Sequence, residues 1–224
     1  MSRERGRPAR RDARRNRERL LAAARAAFAE HGLGASLDEI ARRAGVGNAT
    51  LYRHFPTREA LIEAAFVDMV GTFQCIVEEA LLQEDAWQGL VWCLERICEL
   101  LAADRGLSDL LSMRFPEATT LTAATQRVYD TGDRLVRRAR EQGVLRADFA
   151  PTDIVLIIWS ISRLTAATKN VAPDLWRRQL GLILDGLRPE AAHPLPRPPL
   201  TREQLDLALF DLRDQTAPRT RGTS

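Results

Sequence analysis

Ser36-Leu37-Asp38-Glu39-Ile40-Ala41-Arg42-Arg43-Ala44-Gly45-Val46-Gly47-Asn48-Ala49-Thr50-Leu51-Tyr52-Arg53-His54-Phe55-Pro56-Thr57-Arg58-Glu59-Ala60-Leu61 decides the fold. Ser36 and Glu39 have capping-box spacing, in which hydroxyl and carboxylate satisfy each other's orphan backbone N–H groups. Ile40, Ala41 and Ala44 recur at helical spacing as a buried stripe. Gly45 falls where that helix must end, because glycine takes the left-handed conformation without a Cβ clash. Asn48 is a suitable cap for the next helix, in which Leu51 and Phe55 point inward. Thr50, Tyr52, Arg53 and His54 are left for the other faces. Pro56 stops this helix, and Thr57 opens a third with Glu59 in its first turn. The pattern is a helix-turn-helix whose second helix is short, basic and rich in hydrogen-bonding groups. Two plain surface helices seldom gather Asn, Thr, Tyr, Arg and His in so few residues.

Charge is divided unevenly along the chain. The 224 residues carry a net +3, yet residues 1–19 hold nine Arg against Glu4, Asp12 and Glu18. That stretch is +6, which leaves the other 205 residues at −3. A basic arm before a helix-turn-helix suits double-stranded DNA, since each neutralised phosphate releases counterions. Within it, Arg5-Gly6-Arg7-Pro8 is similar to the core of an AT-hook, which lays arginines such as Arg5 and Arg7 into a narrow minor groove. The plainer reading is a solvated tail.

Outside the motif the periodic segments are helical, so the fold class is all-α. Leu20, Leu21, Ala24, Ala27 and Phe28 mark a helix over about 12–30, closed by Gly32. Further helices are expected over 58–82, around Trp87–Leu101, over 107–115, 117–142 and 153–169, and from Pro173 to Leu187. The expected organisation is a disordered basic arm (1–12), a three-helix DNA-binding head (13–57) and a helical ligand-binding and dimerisation bundle (58–188). A Pro-rich linker (189–200), a terminal helix (201–213) and a disordered tail (214–224) follow. Thr201 and Gln204 make a second capping box, before a short amphipathic helix that must dock on its own subunit or a partner. Ile154–Leu164 is apolar on almost all sides around Trp159, and the next segment carries Trp176, Leu180, Ile183, Leu184 and Leu187 in one stripe. Together they suggest a homodimeric four-helix interface.

The chemistry of an enzyme is missing from the pattern. There is no nucleophile elbow or P-loop, and Gly32-Leu33-Gly34 follows no strand. His31, His54 and His193 are scattered, and none pairs with a cysteine at ligand spacing. Cys75, Cys93 and Cys98 read as buried free thiols, so no cofactor or metal is expected. The polar, Arg-rich N-terminus is not a signal peptide, and the most apolar run, Ile154–Trp159, is far too short for a membrane span. A cytoplasmic protein is expected.

These motifs, taken in order, resemble the TetR family of bacterial transcriptional regulators. The resemblance is densest over residues 14–64, on Leu21-x2-Ala24-x3-Phe28-x3-Gly32, Ser36-x3-Ile40-Ala41-x3-Gly45-Val46, Thr50-Leu51-Tyr52-x-His54-Phe55 and Arg58-x2-Leu61. Residues 65–187 match only in helix number and length and in the ending Leu184-Asp185-Gly186-Leu187. The resemblance implies a recognition helix at about Ala49–Phe55. Asn48, Ala49, Thr50 and Arg53 would approach base edges, with Tyr52, His54 and Arg58 on phosphates; Ser36 would cap its helix and present nearby N–H groups to phosphate. His54 has a second reading, as a packing residue beside Pro56. The resemblance also implies a body that binds a small-molecule effector and releases a palindromic operator. Candidate pocket residues are Met69, Phe73, Trp92, Met113, Phe115 and Tyr129, and each has a second reading as ordinary core. The segment between Gly106 and Pro116 is expected to shift against the helix that starts at Arg58. The alternative function is a constitutive or architectural DNA binder without an effector.

Overall fold

The computed structural model describes residues 6–111 and 118–216, with side chains over 11–110, 118–190 and 192–209. Ten α-helices and no strand occur among the described residues: α1 Gly6–His31, α2 Leu37–Ala44, α3 Asn48–His54, α4 Arg58–Leu82, α5 Ala86–Ala103, α6 Arg105–Leu111, α7 Thr119–Glu141, α8 Pro151–Thr168, α9 Leu175–Leu187 and α10 Arg202–Thr216. A single 3-10 turn, Pro189–Ala191, interrupts the Pro-rich linker.

Helix α1 starts at Gly6, six residues earlier than the periodicity predicts. Pro8 is no obstacle, because the first N–H groups of a helix have no partner in any case. Ala9, Arg10 and Arg11 then favour helix by propensity. The arm is therefore helical over 6–12, where the sequence predicts disorder. At the other end α10 continues to Thr216, three residues past the expected stop.

Local signals place the head's turns. The Ser36 Oγ accepts from the Glu39 N–H at 3.5 Å, and Gly45 takes φ +65° as the αL cap of α2. Only half of the capping box forms, however, because the Glu39 carboxylate turns to the Arg43 guanidinium at 2.9 Å. A charge-assisted bond one turn away outcompetes a neutral backbone donor. Arg43 also reaches Glu30 at 2.8 Å, which ties α2 to α1. The Thr57 hydroxyl caps α4 by accepting from the Ala60 N–H at 3.1 Å.

One apolar core runs from head to body. Leu20, Ala24 and Phe28 of α1, Ile40 of α2 and Leu51 of α3 join Leu61, Phe66 and Phe73 of α4 in a cluster that continues through α5, α7 and α9. At the junction the Phe28 and Phe66 rings stack with centroids 5.8 Å apart. Helix α4 packs most extensively on α7 and α5, and the Glu63 carboxylate on α4 accepts the Thr120 and Leu121 N–H groups at the start of α7. Of the described helices α4 alone is long and apolar enough to cross a bilayer, but its apolar face is filled by these neighbours, as in the core helix of a packed domain.

The short helix α6 packs on α1, α5 and α8. Gly106 lets this happen: a Cβ there would lie 2.8 Å from the Phe28 Cβ and 2.9 Å from its carbonyl group. The Asp109 carboxylate accepts the Leu33 N–H at 3.0 Å, just beyond the end of α1, and Ser108 shares a hydroxyl hydrogen bond with Ser162 of α8. Gly106→Ala is expected to push α6 off α1 and to cost about 1–3 kcal/mol, as overpacking does. Chemical denaturation checks this; an unchanged midpoint would mean that the α1–α6 contact is slack.

Candidate DNA-binding face and body cavity

Helix α3 buries only Leu51, with Phe55 buried just beyond its end. Everything else on the helix faces out or is half-buried. Asn48, Ala49 and Arg53 are exposed, Tyr52 is 49% exposed and Thr50 is half-buried. Arg53 makes no hydrogen bond or ion pair among the described residues, so its planar fork of donors is presented to solvent. The structure thus places Ser36 at the start of α2 and Asn48, Ala49, Thr50, Tyr52 and Arg53 along α3, two helices that pack on each other.

Three sequence expectations change here. Asn48 is not the cap of α3: Gly47 occupies that position, and the Asn48 amide donates to Asp38 at 2.7 Å. The nearby carboxylate is the better acceptor because it is charged. Arg58 does not stand free for phosphate; one of its amino groups donates to the Leu33 and Ala35 carbonyls at 2.9 and 2.7 Å. The α1–α2 turn leaves those carbonyls without helical partners, and Arg58 supplies them. His54 is half-buried, with its ring tilted against Phe55 and its Nε2 buried without a partner, so that nitrogen is not presented to solvent. Arg5 and the side chain of Arg7 lie outside the described residues, although the Arg7 backbone belongs to α1. Arg17, one of the nine arginines of residues 1–19, sits over the Phe55 ring at 5.3 Å, a contact that the sequence does not announce.

Burial, and then Arg53 and Arg17, hold the His54 pKa below its usual value of about 6.5. The folded head therefore binds this proton less well than the unfolded chain does. Its contribution to stability is complete above about pH 6.5 and is lost as pH falls through that value toward the folded pKa. His54→Gln is expected to flatten the decline in melting temperature between pH 7.5 and 5. Parallel curves for the two proteins would contradict this.

In the body, α4, α5, α7, α8 and α10 surround a narrow cavity of ≈ 80 Å³. Phe73 and Tyr129 line it as the sequence suggests, together with Val70, Val77, Leu94 and Ile97. Met69 packs against the main core instead, and Trp92 lines an open surface groove with Cys75, Glu95 and Arg177. Met113 and Phe115 lie outside the described residues. The cavity's polar groups are Thr125, Thr152, Asp133 and Arg202. The last two carry no sequence signal for a pocket, because one sits on an amphipathic helix and the other beyond the prolines. The Cys93 thiol on the wall and Cys98 are pushed up to about 12 by burial, so both stay protonated and unreactive. Cys75 is exposed, contrary to the expectation of three buried thiols. No group of His, Cys, Asp or Glu side chains among the described residues has a metal-binding arrangement.

The expected dimer stripe is largely internal. Trp176, Leu180, Leu184 and Leu187 are buried within the protomer, where α9 packs on α5 and α8. Ile183 and Trp159 are half-buried. The apolar residues that face outward are Leu175 and Leu182, the latter 56% exposed. A strongly periodic stripe cannot by itself say whether its partner lies in the same chain, and here the α5–α8 groove takes it.

A helix-turn-helix head fused through one core to an all-helical body with an internal cavity is the architecture of a DNA-binding transcriptional regulator. The chain belongs to the TetR family. The model of the bacterial TetR-family regulatory proteins matches residues 20–65, and that of the C-terminal domain of SbtR-like transcriptional regulators matches residues 85–189. A TetR transcriptional regulator from Streptomyces coelicolor is 34% identical, over 77% of this chain and 98% of that one, with a TM-score of 0.52. FadR from Bacillus subtilis, solved with stearoyl-CoA, shares the fold at 19% identity over 79% and 99% of the chains, with a TM-score of 0.62. MbdR from Azoarcus sp. CIB does so at 19% identity over 77% and 98%, with a TM-score of 0.60. No curated protein sequence gives a significant match.

Proposed function

We propose that the protein is a homodimeric repressor that holds a palindromic operator and releases it when a small molecule enters the body cavity. One observation carries this reading: α4 begins at the head, beside Arg58 and its hold on the α1–α2 turn, and forms the cavity wall at Val70, Phe73 and Val77. The helix has 25 residues and so spans about 37 Å at about 1.5 Å per residue. A ligand that parts α4 from α7 tilts it, and the tilt alters the spacing of the two recognition helices. Half-sites one turn apart are separated by about 34 Å, so a shift of a few ångströms loses one of them. Helix α6 offers a second route, since it joins α8 through Ser162 to the end of α1 through Leu33. Coupling of about 1–3 kcal/mol by either route is a sufficient switch.

At the base edges, Arg53 is the residue assigned to bidentate recognition, with Asn48 and Thr50 beside it and Tyr52 and Ser36 toward phosphate. The dimer face is assigned to the outer side of α8 and α9, around Trp159, Ile183, Leu175 and Leu182. FadR with stearoyl-CoA and RolR with resorcinol share this fold and hold small molecules, which supports an effector here. The site is cytoplasmic in this reading, where operator DNA is found.

Gly132 supplies the test. It lines the cavity, and a Cβ there would meet nothing within 4 Å. Gly132→Leu is expected to fill the space, to bind retained genomic DNA fragments as the wild type does, and to resist release by any compound in a metabolite library that frees the wild type. Equal release of both proteins would place the effector elsewhere. A wild type that no compound releases would favour the constitutive binder.

A further inference from the structure

The terminal helix is held apart from the main core. Leu205 and Leu209 of α10 bury with Val155 in a separate small cluster, flanked by Tyr129, Leu156 and Leu200. The Thr201–Gln204 capping box forms in full, with bonds of 2.9 and 3.2 Å, and the Thr152 hydroxyl donates to the Leu200 carbonyl at 3.0 Å. Upstream, the linker is anchored where Arg146 donates to the His193 carbonyl at 2.7 Å. Helix α10 is thus pre-formed and tethered, yet its apolar seat is only a few side chains wide. A small satellite cluster of this kind opens at much lower cost than the core.

Its first residue enters the cavity. The Arg202 guanidinium lies over the Tyr129 ring, 4.3 Å from the centroid, and donates to Gln126 at 2.8 Å. Asp133 stands one turn beyond Tyr129 on α7 and faces the same space. Its carboxylate makes no hydrogen bond among the described residues. Burial raises its pKa, with Asp130 acting the same way and Arg202 and Arg137 opposing. The rest of the wall is almost wholly apolar: Val70, Phe73, Val77, Leu94, Ile97 and Ile158 are its main contributors. An aromatic face next to an underused carboxylate at the mouth of an apolar cavity is chemistry for a cation. An anion would find the Arg202 guanidinium already engaged by Gln126 and the Tyr129 ring, with Asp133 opposing it.

We propose that Arg202 is a built-in occupant of a cation site, and that the effector is an amphiphilic organic cation that displaces it and α10. The charged end takes the place of the guanidinium between Tyr129 and Asp133, and the apolar end enters the space walled by Phe73, Leu94 and Ile97. Withdrawal of α10 also explains how a cavity of ≈ 80 Å³ admits a molecule, since Arg202 and Leu205 form part of its wall. This inference rests on the effector reading above but concerns only the body, so it is tested without DNA.

Isothermal titration of the full-length protein with octyltrimethylammonium, octanoate and octanol is the experiment. Saturable binding of octyltrimethylammonium is expected, with octanoate weaker by about tenfold or more because its charge has the wrong sign beside Asp133. Arg202→Ala removes the internal competitor and should tighten ammonium binding about 2- to 5-fold, the range of a cation–π contact. Asp133→Asn should weaken it about tenfold. Thermal unfolding of each variant confirms that it is folded, and the comparison of the three probes on the wild type needs no variant. The proposal is overturned if octanoate binds as tightly as the ammonium, if Arg202→Ala weakens ammonium binding, or if neither wild type nor Arg202→Ala binds the ammonium. Operator binding by the same preparation, measured separately, shows whether the regulator reading stands when this one falls.

Discussion

Phe28→Ala is expected to lower the stability of the whole chain by about 3–5 kcal/mol, the usual cost of emptying a large aromatic site in a core. Phe28 is fully buried, stacks on Phe66 of α4, and has its backbone against Gly106 of α6. It therefore sits where α1, α4 and α6 meet. For a chain of this size about 2–4 °C of melting temperature is lost per kcal/mol. The more telling expectation is the shape of the transition. Because the core runs unbroken from Leu20 to Leu187, head and body should still melt together. Calorimetry showing an early head transition, with the body unmoved, would mean that the two cores are energetically separate and that α4 is a poor lever between them.

Arg53→Ala is expected to remove about 1–3 kcal/mol of base discrimination per half-site. With two half-sites the loss is about 2–6 kcal/mol if the sites act independently. Arg53 is exposed on α3, and neither Leu51 nor Phe55, which hold that helix in place, depends on it. The variant should keep its melting temperature and much of its salt-dependent, sequence-independent attraction to DNA. Binding isotherms on matched and scrambled duplexes at two salt concentrations check this. A uniform loss on every sequence, with a shallower salt slope, would reassign Arg53 to phosphate. Tyr52→Phe serves as the comparison, since loss of a phosphate contact weakens all sequences alike.

What the sequence made legible was local. Gly45 had to end α2 because its left-handed φ admits no Cβ at low cost, and Thr57 and the Thr201–Gln204 pair announced their helices with side chains that cap only at an N-terminus. The all-α class, the helix-turn-helix head and the exposed side chains of α3 followed from such signals. Where sequence reasoning failed, a distant group had intervened. Asn48 was drawn to Asp38 ten residues away, Arg58 to the carbonyls of Leu33 and Ala35, and Asp109 to a backbone N–H 76 residues upstream. The cavity was the hardest to foresee. Met69 and Phe73 are the same kind of residue one helical turn apart, yet Phe73 borders empty space while Met69 only packs against the core. That difference belongs to the assembled bundle and to α10, which no periodicity in α4 could report. The stripe on α9 misled for a related reason, since an apolar face states that it will be covered but not by which chain.

The central claim is that the head reads a specific, two-fold symmetric DNA site. The direct measurement is retention of genomic fragments by the purified protein at low and high salt, with the retained DNA sequenced at both. A short inverted repeat with half-sites one helical turn apart, surviving the higher salt, is the predicted result. Bulk DNA without a motif, lost steeply as salt rises, would show that the Arg-rich start of α1 dominates binding and would contradict the account.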